Sequence, residues 1–389
     1  MCLRGRAGIR RLLIVGSGHA WSTLDAQRGL LDGFQATGYD VFAYDLHTRL
    51  HAALGWVKYA NEVVVPSTGQ AAPEPGWEPA TEDIIYQAGL GIVTEALRLN
   101  VDAVVVVCGL LLEPRILVML ERAGFPVFLF GTESPYDDDV FLGRAELVTA
   151  LSVNEPASVE AVRSMLASVG ADVPVSYLSL GYSPSLHRPG FGALSEDLPR
   201  HDVVFVGNVY PSRQAFFEAV DWDGLGIDLG IYGVMATVAP DAPVRRWVRH
   251  DGVVPNPVAA ALYTRSRAVL NLFRTEQFGL DWEVRGHVRA EAVSPRMIEA
   301  AAMGAFMVSE SRSQVGEVFG DLVPTFTTAD EAGPLIRRWL DDEPGRKKIE
   351  RCLPGAVESY SYANRAREIV TSLELATRAK SVDMRARVA

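Results

Sequence analysis

The segment EAVSPRMIEAAAMGAFMVSES, residues 291–311, places one carboxylate, Glu299, among small and apolar residues. Its pattern predicts a short helix with Ser294 as the N-cap, Pro295 in the first turn and a glycine at the end. A carboxylate in so apolar a helix is costly unless it is paired. It could form a structural ion pair with Arg296 or another arginine, or it could accept hydrogen bonds from the vicinal hydroxyls of a nucleotide. The apolar surroundings favour the ligand role.

A second stretch with possible ligand chemistry is VVFVGNVYPSR, residues 203–213, in which a buried strand leads to a glycine and then an arginine. Gly207, followed by Asn208, would let a ligand approach the backbone, and Arg213 would clamp a diphosphate. A loop with a solvated arginine is the alternative. The other candidate ligand-binding residues of this half of the chain are Asn271, Arg274 and Arg296.

The first glycine turn is GSGHAW, residues 16–21. Gly16 and Gly18 would let backbone N–H groups approach a phosphate or sugar at a helix N-terminus, although a simple tight turn is the alternative. A dinucleotide fingerprint needs a small residue where Trp21 stands, which argues against a dehydrogenase. His19 is a candidate acid or base, and both His19 and Trp21 would face the cleft if the strand ends there.

The segment TESPYDDD, residues 132–139, follows another buried strand. Glu133 and Tyr136 are therefore candidate cleft residues at the carboxyl end of that strand. The spacing of Asp137 and Asp139 resembles the carboxylate pair that holds a metal in some sugar transferases. A solvated acidic loop explains the same residues, and we expect no metal site.

Composition narrows the class of protein. The 389 residues are 48% hydrophobic and 22% charged, which is ordinary for a globular chain long enough for two domains. A net charge of −11 gives no signature for nucleic-acid or anionic-membrane binding. The longest apolar run, residues 103–112, is too short to span a membrane. Three scattered cysteines and the lack of a signal-peptide pattern predict a cytoplasmic protein.

Strands and helices alternate along almost the whole chain, which predicts an α/β fold with mostly parallel sheets. We expect two Rossmann-like domains facing across a cleft, with ligands at the carboxyl ends of the strands. The predicted parts are an N-terminal domain over 10–182, a linker over 183–199, a C-terminal domain over 200–345 and crossover helices over 346–380.

Several of these segments together resemble one known family. PRMIEAAAMGAFMVSES is similar to the signature of group 1 glycosyltransferases, which have the GT-B fold. LLEPRILVMLERAGFPVFLFGTESPY, YLSLGYSPSLHRP, VVFVGNVYPSR and SYANRAREIV resemble, in the same order, blocks of the branch related to the spore-maturation protein CgeB. The likeness extends from about residue 12 to residue 370.

The resemblance implies transfer of a sugar from a nucleotide-diphosphate sugar without an essential metal or other cofactor. The C-terminal domain would bind the donor, a UDP-sugar first of all, and the last helix would cross back to the acceptor domain. Glu299 matches the glutamate that holds the donor ribose in the family. Glu291, eight positions earlier, matches the glutamate that contacts the sugar. EQFG at 276–279 resembles the family's sugar-binding loop, so Glu276 competes for that role.

The residues are compatible with this chemistry. A helix N-terminus and arginines can stabilise the charge that develops on a diphosphate leaving group. We expect retention of configuration; an inverting enzyme would need a base, for which His19 is the candidate. Trp21, Glu133 and Tyr136 are the candidate acceptor-side residues, and the acceptor itself stays open among a protein, a glycan and a modified base. The alternatives are a sugar-nucleotide epimerase of the same fold and a non-catalytic nucleotide-sugar or carbohydrate-binding structural protein.

Overall fold

The structure is a computed structural model, and it describes residues 8–18, 22–59, 80–192, 197–275 and 289–388. The chain forms two compact units. The N-terminal unit consists of Met1–Leu178 together with Arg365–Ala389, and the C-terminal unit consists of Ser179–Asn364. The end of the chain therefore returns to the unit in which the chain begins, as the GT-B prediction requires.

The described part of the N-terminal unit contains a six-stranded parallel sheet in the order β2-β1-β3-β4-β5-β6. Its strands are β1 Arg11–Val15, β2 Asp40–Tyr44, β3 Ala103–Val107, β4 Val127–Phe130, β5 Ala150–Val153 and β6 Val175–Tyr177. All five residues of β3 are buried, because helices cover both faces of such a sheet.

The helices of this unit lie between its strands in the chain, and most of the last helix of the chain belongs to the same unit. They are α1 Ser22–Ala36, α2 Leu46–Tyr59, α3 Thr81–Gly89, α4 Gly91–Arg98, α5 Pro114–Arg122, α6 Asp138–Ala145 and α7 Ser158–Ser168. The last helix (α14, Tyr362–Val388) contacts the start of the chain, where the Ile9 N–H donates to Oε1 of Glu374 across 3.1 Å. This hydrogen bond connects the two ends of the chain within the N-terminal unit.

The described part of the C-terminal unit contains a second six-stranded parallel sheet, in the order β12-β11-β10-β7-β8-β9. Its strands are β7 Val203–Val206, β8 Leu229–Gly233, β9 Val248–Asp251, β10 Ala268–Asn271, β11 Met307–Glu310 and β12 Thr325–Phe326. Its α-helices are α8 Pro211–Ala219, α9 Asn256–Arg265, α10 Pro295–Ala302, α11 Ser313–Phe319, α12 Ala329–Asp341 and α13 Glu343–Ala356. Three short 3₁₀ helices complete its described part: Pro243–Trp247, Gly320–Leu322 and Glu358–Tyr360.

The boundary between the units lies just before the predicted linker. Residues from Ser179 onward cluster with the C-terminal unit because the segment is bonded to it. The Tyr182 N–H donates to the Tyr360 carbonyl across 3.1 Å, and the Tyr362 N–H donates to the Tyr182 carbonyl across 3.0 Å. Helix α13, which the sequence assigns to the crossover segment, also clusters with this unit. The assignment of donor and acceptor to separate domains stays a prediction.

Among the described residues, no helix combines the length and the apolar character that a membrane crossing requires.

Candidate functional site

The candidate site of the C-terminal unit is built on helix α10, and local sequence sets both ends of that helix. Ser294 is the N-cap in extended conformation and Pro295 is the first helical residue, as predicted. The helix stops before Gly304, which adopts a left-handed φ of 69° and donates its N–H to the Ala301 carbonyl. The Ser294 hydroxyl donates to Oδ1 of Asn271 across 2.7 Å. This hydrogen bond places the amino end of α10 at the carboxyl end of β10.

Glu299 is the carboxylate at the centre of this site. It lies on α10 between the buried residues Ile298 and Ala300, and its side chain is 13% exposed. Burial raises the pKa of the Glu299 carboxyl to about 7, although a hydrogen bond from Asn256 and the charge of Arg296 oppose the rise. The Asn256 amide donates to Oε1 across 3.4 Å. Among the described residues, no hydrogen bond reaches Oε2, so that oxygen can accept one from a ligand.

A histidine from the start of the C-terminal unit also faces this carboxylate. Nε2 of His187 lies 3.8 Å from Oε1 of Glu299 and 3.3 Å from Oδ1 of Asn256. The His187 side chain is 1% exposed. Two segments that are distant from Glu299 in the chain thus lie next to its carboxylate: the turn around His187, and Asn256 as the first residue of α9.

Arg296 points into the unit and not towards Glu299. Its Nε donates to the Val206 carbonyl across 2.7 Å, and its Nη1 donates to Oδ1 of Asn271 across 3.1 Å. The Tyr263 hydroxyl is a further hydrogen-bond partner, and burial lowers the pKa of the Arg296 guanidinium. Arg296 and Glu299 are both described residues, and no ion pair joins them. Within the part of the chain that the structure describes, no other arginine forms an ion pair with Glu299 either, so the structural pair with Arg296 or another arginine is not found there.

Gly207 leaves the space that this arginine occupies. Its φ is 154°, and a Cβ at this position would lie 2.3 Å from Nη2 of Arg296 and 3.3 Å from the ring of Phe205. The sequence suggested that Gly207 admits a ligand to the backbone. In the structure the protein's own guanidinium fills the space that a side chain at this position would need.

Replacing Gly207 with alanine is expected to lower the free energy of unfolding by about 2–3 kcal/mol, because it strains the backbone and displaces buried hydrogen bonds of Arg296. Urea unfolding measures the change. Gly226→Ala is the matched control, because Gly226 has a φ of 62° but no heavy atom within 4 Å of its Cβ position. It should cost only about 1–2 kcal/mol from backbone strain. If both variants lose the same free energy of unfolding, the contact between position 207 and Arg296 does not explain the effect of Gly207→Ala.

Arg213 fixes the loops that follow two neighbouring strands. Its guanidinium donates to the Asn208 carbonyl and to the Leu272 carbonyl, each across 2.8 Å. It also lies 5.2 Å from the ring centroid of Tyr210. The residue is 8% exposed, so its charge lies just below the surface at the carboxyl ends of β7 and β10.

Asn271 is fully buried, at 0% exposure, and its amide is used inside the unit. Its Nδ2 donates to the Ser309 hydroxyl across 2.9 Å, while Oδ1 accepts from Ser294 and Arg296. Asn271 therefore joins β10 to β11 and to the start of α10. These bonds position the helix, and contact of Asn271 with a donor stays a prediction.

The loop before α10 is attached to helix α11. The Ser313 hydroxyl donates to Oε2 of Glu291 across 2.6 Å, and Nη2 of Arg312 donates to the Arg274 carbonyl across 3.1 Å. Glu276 lies outside the described residues. The choice between Glu276 and Glu291 as the sugar-contacting residue therefore stays open.

The first glycine turn serves packing within the N-terminal unit. A Cβ on Gly16 would lie 2.4 Å from Oε1 of Gln27, and Gly18 has a φ of 81° that favours glycine. Two further candidates from this turn, His19 and Trp21, lie outside the described residues.

The loop after β4 is organised by an aspartate. The Ser134 and Ser158 hydroxyls donate to Asp138 across 2.6 and 2.5 Å, and the Tyr136 N–H donates to the Glu133 carbonyl across 2.9 Å. A cavity of about 10 Å³, the size of one water, is lined here by Cys108, Thr132, Glu133 and Asp137 among others. Within the described ranges, no three His, Cys, Asp or Glu side chains converge as a metal site.

Sequence reasoning missed three polar residues around α10: His187, Asn256 and Tyr263. Each belongs to a segment far from α10 in the chain, so no local periodicity links it to Glu299. The sequence signal is indirect: His187 belongs to YLSLGYSPSLHRP and Tyr263 to LYTRSRAVLNL, and both segments resemble blocks of the CgeB-like branch.

Comparison with known proteins agrees with this architecture. Residues 200–371 match the profile of a family described as Glycosyl transferase-like. No curated protein sequence matches the chain. The family match covers the strands, loops and helix that surround Glu299.

Solved structures match over almost the full chain. Sucrose-phosphate synthase from Thermosynechococcus elongatus is 12% identical with a TM-score of 0.56, and the match covers 96% of this chain and 99% of that one. The α,α-trehalose 6-phosphate synthase from Burkholderia multivorans is 11% identical with a TM-score of 0.57, covering 97% and 99%. A glycosyltransferase involved in avilamycin A biosynthesis is 17% identical with a TM-score of 0.53, covering 95% and 98%. These likenesses give the fold, the family match gives the enzyme class, and together they identify the chain as a glycosyltransferase of the GT-B type.

Proposed function

We propose that the chain transfers a sugar from a nucleotide-diphosphate sugar, with a UDP-sugar as the leading candidate, and that the C-terminal unit binds this donor. The proposal includes Glu299 as the residue that holds the nucleotide ribose. One observation carries it: a carboxylate in an apolar helix has one oxygen bonded weakly to the protein and the other available to a ligand.

A vicinal diol is a good partner for such a group. Two neighbouring ribose hydroxyls are O–H donors held at a fixed separation, and a carboxylate offers two acceptor oxygens. Hydrogen bonds to an ionised acceptor are about twice as strong as those between neutral groups. Burial of the Glu299 carboxylate costs the ligand-free protein free energy. Hydrogen bonds from the ribose hydroxyls would offset this cost.

The diphosphate would lie near the amino end of α10. Positive charge is already present there, because Arg213 and Arg296 lie at the carboxyl ends of β7 and β10. Their guanidinium groups bond to the protein, so we propose that they act through their charge and not as a bidentate clamp. A helix N-terminus adds partial positive charge. This arrangement would stabilise the leaving diphosphate without a metal and suits a retaining transfer.

The remaining assignments follow the family likeness. Glu291 or Glu276 would contact the transferred sugar, and His19 would be the base if the reaction inverts. The acceptor, a protein, a glycan or a modified base, would bind at the N-terminal unit near Glu133, Tyr136 and Trp21. We further propose that the protein belongs to the CgeB-like branch and acts in the cytoplasm, as its motifs and few cysteines suggest.

A panel of UDP-, GDP- and dTDP-sugars tests the proposal. We expect at least one to raise the melting temperature of the protein and to release free nucleotide when acceptor candidates are supplied. Glu299→Gln should lose most of the shift, whereas Glu317→Gln, on an exposed part of α11, should retain it.

Three results would count against the proposal. If no nucleotide sugar binds, the donor site is wrongly assigned. Binding without turnover, with any acceptor, would favour a non-catalytic binding protein. Conversion of the donor without an acceptor would favour an epimerase.

A further inference from the structure

The side chain of His187 is oriented by its own turn. The Ser183 carbonyl accepts the His187 N–H across 2.7 Å, which closes the turn Ser183–His187. The Ser183 N–H in turn donates to Nδ1 of the His187 ring across 3.2 Å. Since Nδ1 accepts this hydrogen bond, the neutral ring carries its proton on Nε2.

That proton starts a chain of hydrogen bonds that ends on the carboxylate. Nε2–H of His187 points to Oδ1 of Asn256 at 3.3 Å, and Nδ2–H of the same amide points to Oε1 of Glu299 at 3.4 Å. Each group donates in the same direction along the chain, from imidazole to amide to carboxylate. Oε1 is thereby engaged, while no described residue bonds to Oε2.

We propose that His187 and Asn256 are positioning residues that hold the Glu299 carboxylate in the orientation needed to receive a nucleotide diol. The inference rests on the proposed donor role of Glu299. It adds the two residues that orient the Glu299 carboxylate before the ligand binds. A glutamate side chain has three rotatable bonds, and fixing it before the ligand arrives lowers the entropy cost of binding. The nearly buried ring of His187 gives this chain of hydrogen bonds a rigid start.

A purely structural role is the competing explanation, because buried polar groups are normally hydrogen-bonded. The two explanations differ in what they predict for the ribose hydroxyls. If His187 only supports the fold, its loss weakens binding of every nucleotide alike. If it orients Glu299, its loss removes the advantage of nucleotides that carry a diol over those that lack one.

The experiment measures, by calorimetry on the full chain at pH 8, the affinity for UDP and GDP and for their 2′,3′-dideoxy analogues. In the wild type, whichever of UDP and GDP binds should bind about 10- to 100-fold more tightly than its dideoxy analogue. His187→Leu should lower that ratio about 5- to 10-fold, because the Glu299 carboxylate is then no longer held in the orientation that meets the diol. Asn256→Ala should act in the same way.

Two variants serve as controls. His187→Gln keeps an N–H donor near the position of Nε2 and should retain most of the diol preference. His201→Leu removes another buried histidine of the same unit, which bonds Asp228 and Tyr232 at the amino-terminal side of β7. It should leave the ratio unchanged even if the protein becomes less stable.

The outcomes distinguish the proposed positioning role of His187 and Asn256 from the proposed donor role of Glu299. If His187→Leu and Asn256→Ala weaken the ribose and dideoxy forms equally, the positioning role is wrong and the donor site stands. If the wild type shows no diol preference, or Glu299→Gln keeps it, the donor role of Glu299 is wrong. If His187→Leu does not fold, the Asn256→Ala and His187→Gln pair decides the question.

Discussion

Replacement of Glu299 by glutamine is expected to weaken nucleotide-sugar binding about 100-fold, because two charge-assisted hydrogen bonds to the ribose would be lost or weakened. This corresponds to about 3 kcal/mol. The glutamine retains the size of the side chain, so packing in the apolar helix should change little. Isothermal titration with the best-bound nucleotide sugar measures the loss.

The affinity of the wild type should also depend on pH. Burial raises the pKa of the Glu299 carboxyl to about 7, so at pH 6 most of the free protein is protonated at this site. Hydroxyl donors favour the ionised carboxylate and lower its pKa in the complex. Affinity should therefore rise as the pH rises from 6 to 8, and binding below pH 7 should release a proton. A nucleotide sugar is the right probe, because its phosphates do not titrate in this range.

Glutamine at position 299 cannot titrate, so the variant should show the same weak affinity at pH 6 and at pH 8. Calorimetry in buffers of different ionisation enthalpy detects the released proton directly. A wild-type affinity that does not change with pH, or a variant that keeps the wild-type affinity, would contradict the assignment of the ribose to Glu299.

The sequence was sufficient to predict the fold for physical reasons. Runs of buried β-branched residues such as 103–107 suit only strands covered on both faces, and their alternation with helices implies parallel sheets. The ends of α10 were equally readable, since Ser294, Pro295 and Gly304 are local signals. Glu299 stood out because a charge in an apolar helix has a cost that neighbouring residues do not explain.

The sequence was less informative about polar partners, because these depend on tertiary contacts. The sequence did not predict that Arg296 and Asn271 form hydrogen bonds inside the unit, and their role toward a ligand stays a prediction. Gly207 looked like an opening for a ligand, but it faces Arg296. The support of Glu299 by His187 and Asn256 joins three separate segments of the chain. No spacing rule predicts such a contact.

Removal of the Glu299 charge should also stabilise the ligand-free protein at alkaline pH. The carboxyl has a pKa of about 7 in the folded chain, against an ordinary value of 4.5. A raised pKa means that the folded state holds its proton more tightly than the unfolded state. This contribution to stability is fully present below about pH 4.5 and is lost as the pH rises through 7.

The difference between a pKa of about 7 in the folded chain and 4.5 in the unfolded chain corresponds to about 3 kcal/mol in the free energy of unfolding. The free energy of unfolding of Glu299→Gln, relative to the wild type, should therefore increase by about 3 kcal/mol between pH 4.5 and pH 8 and then level off. Urea unfolding at several pH values measures this difference, and other titrating groups cancel in the comparison. Glu317→Gln, at an exposed position of α11, is the control, and its free energy of unfolding should stay at a constant difference from that of the wild type at every pH.

A flat difference between Glu299→Gln and the wild type would mean that the carboxylate is not destabilised in the free protein. If the difference rises as expected, the residue that weakens the empty protein is the one required for binding. Saturating nucleotide sugar should then remove most of the variant's advantage, because the ligand stabilises only the chain that binds it. A structural glutamate would give no such reversal. The stability and binding measurements therefore test the same assignment from two independent directions.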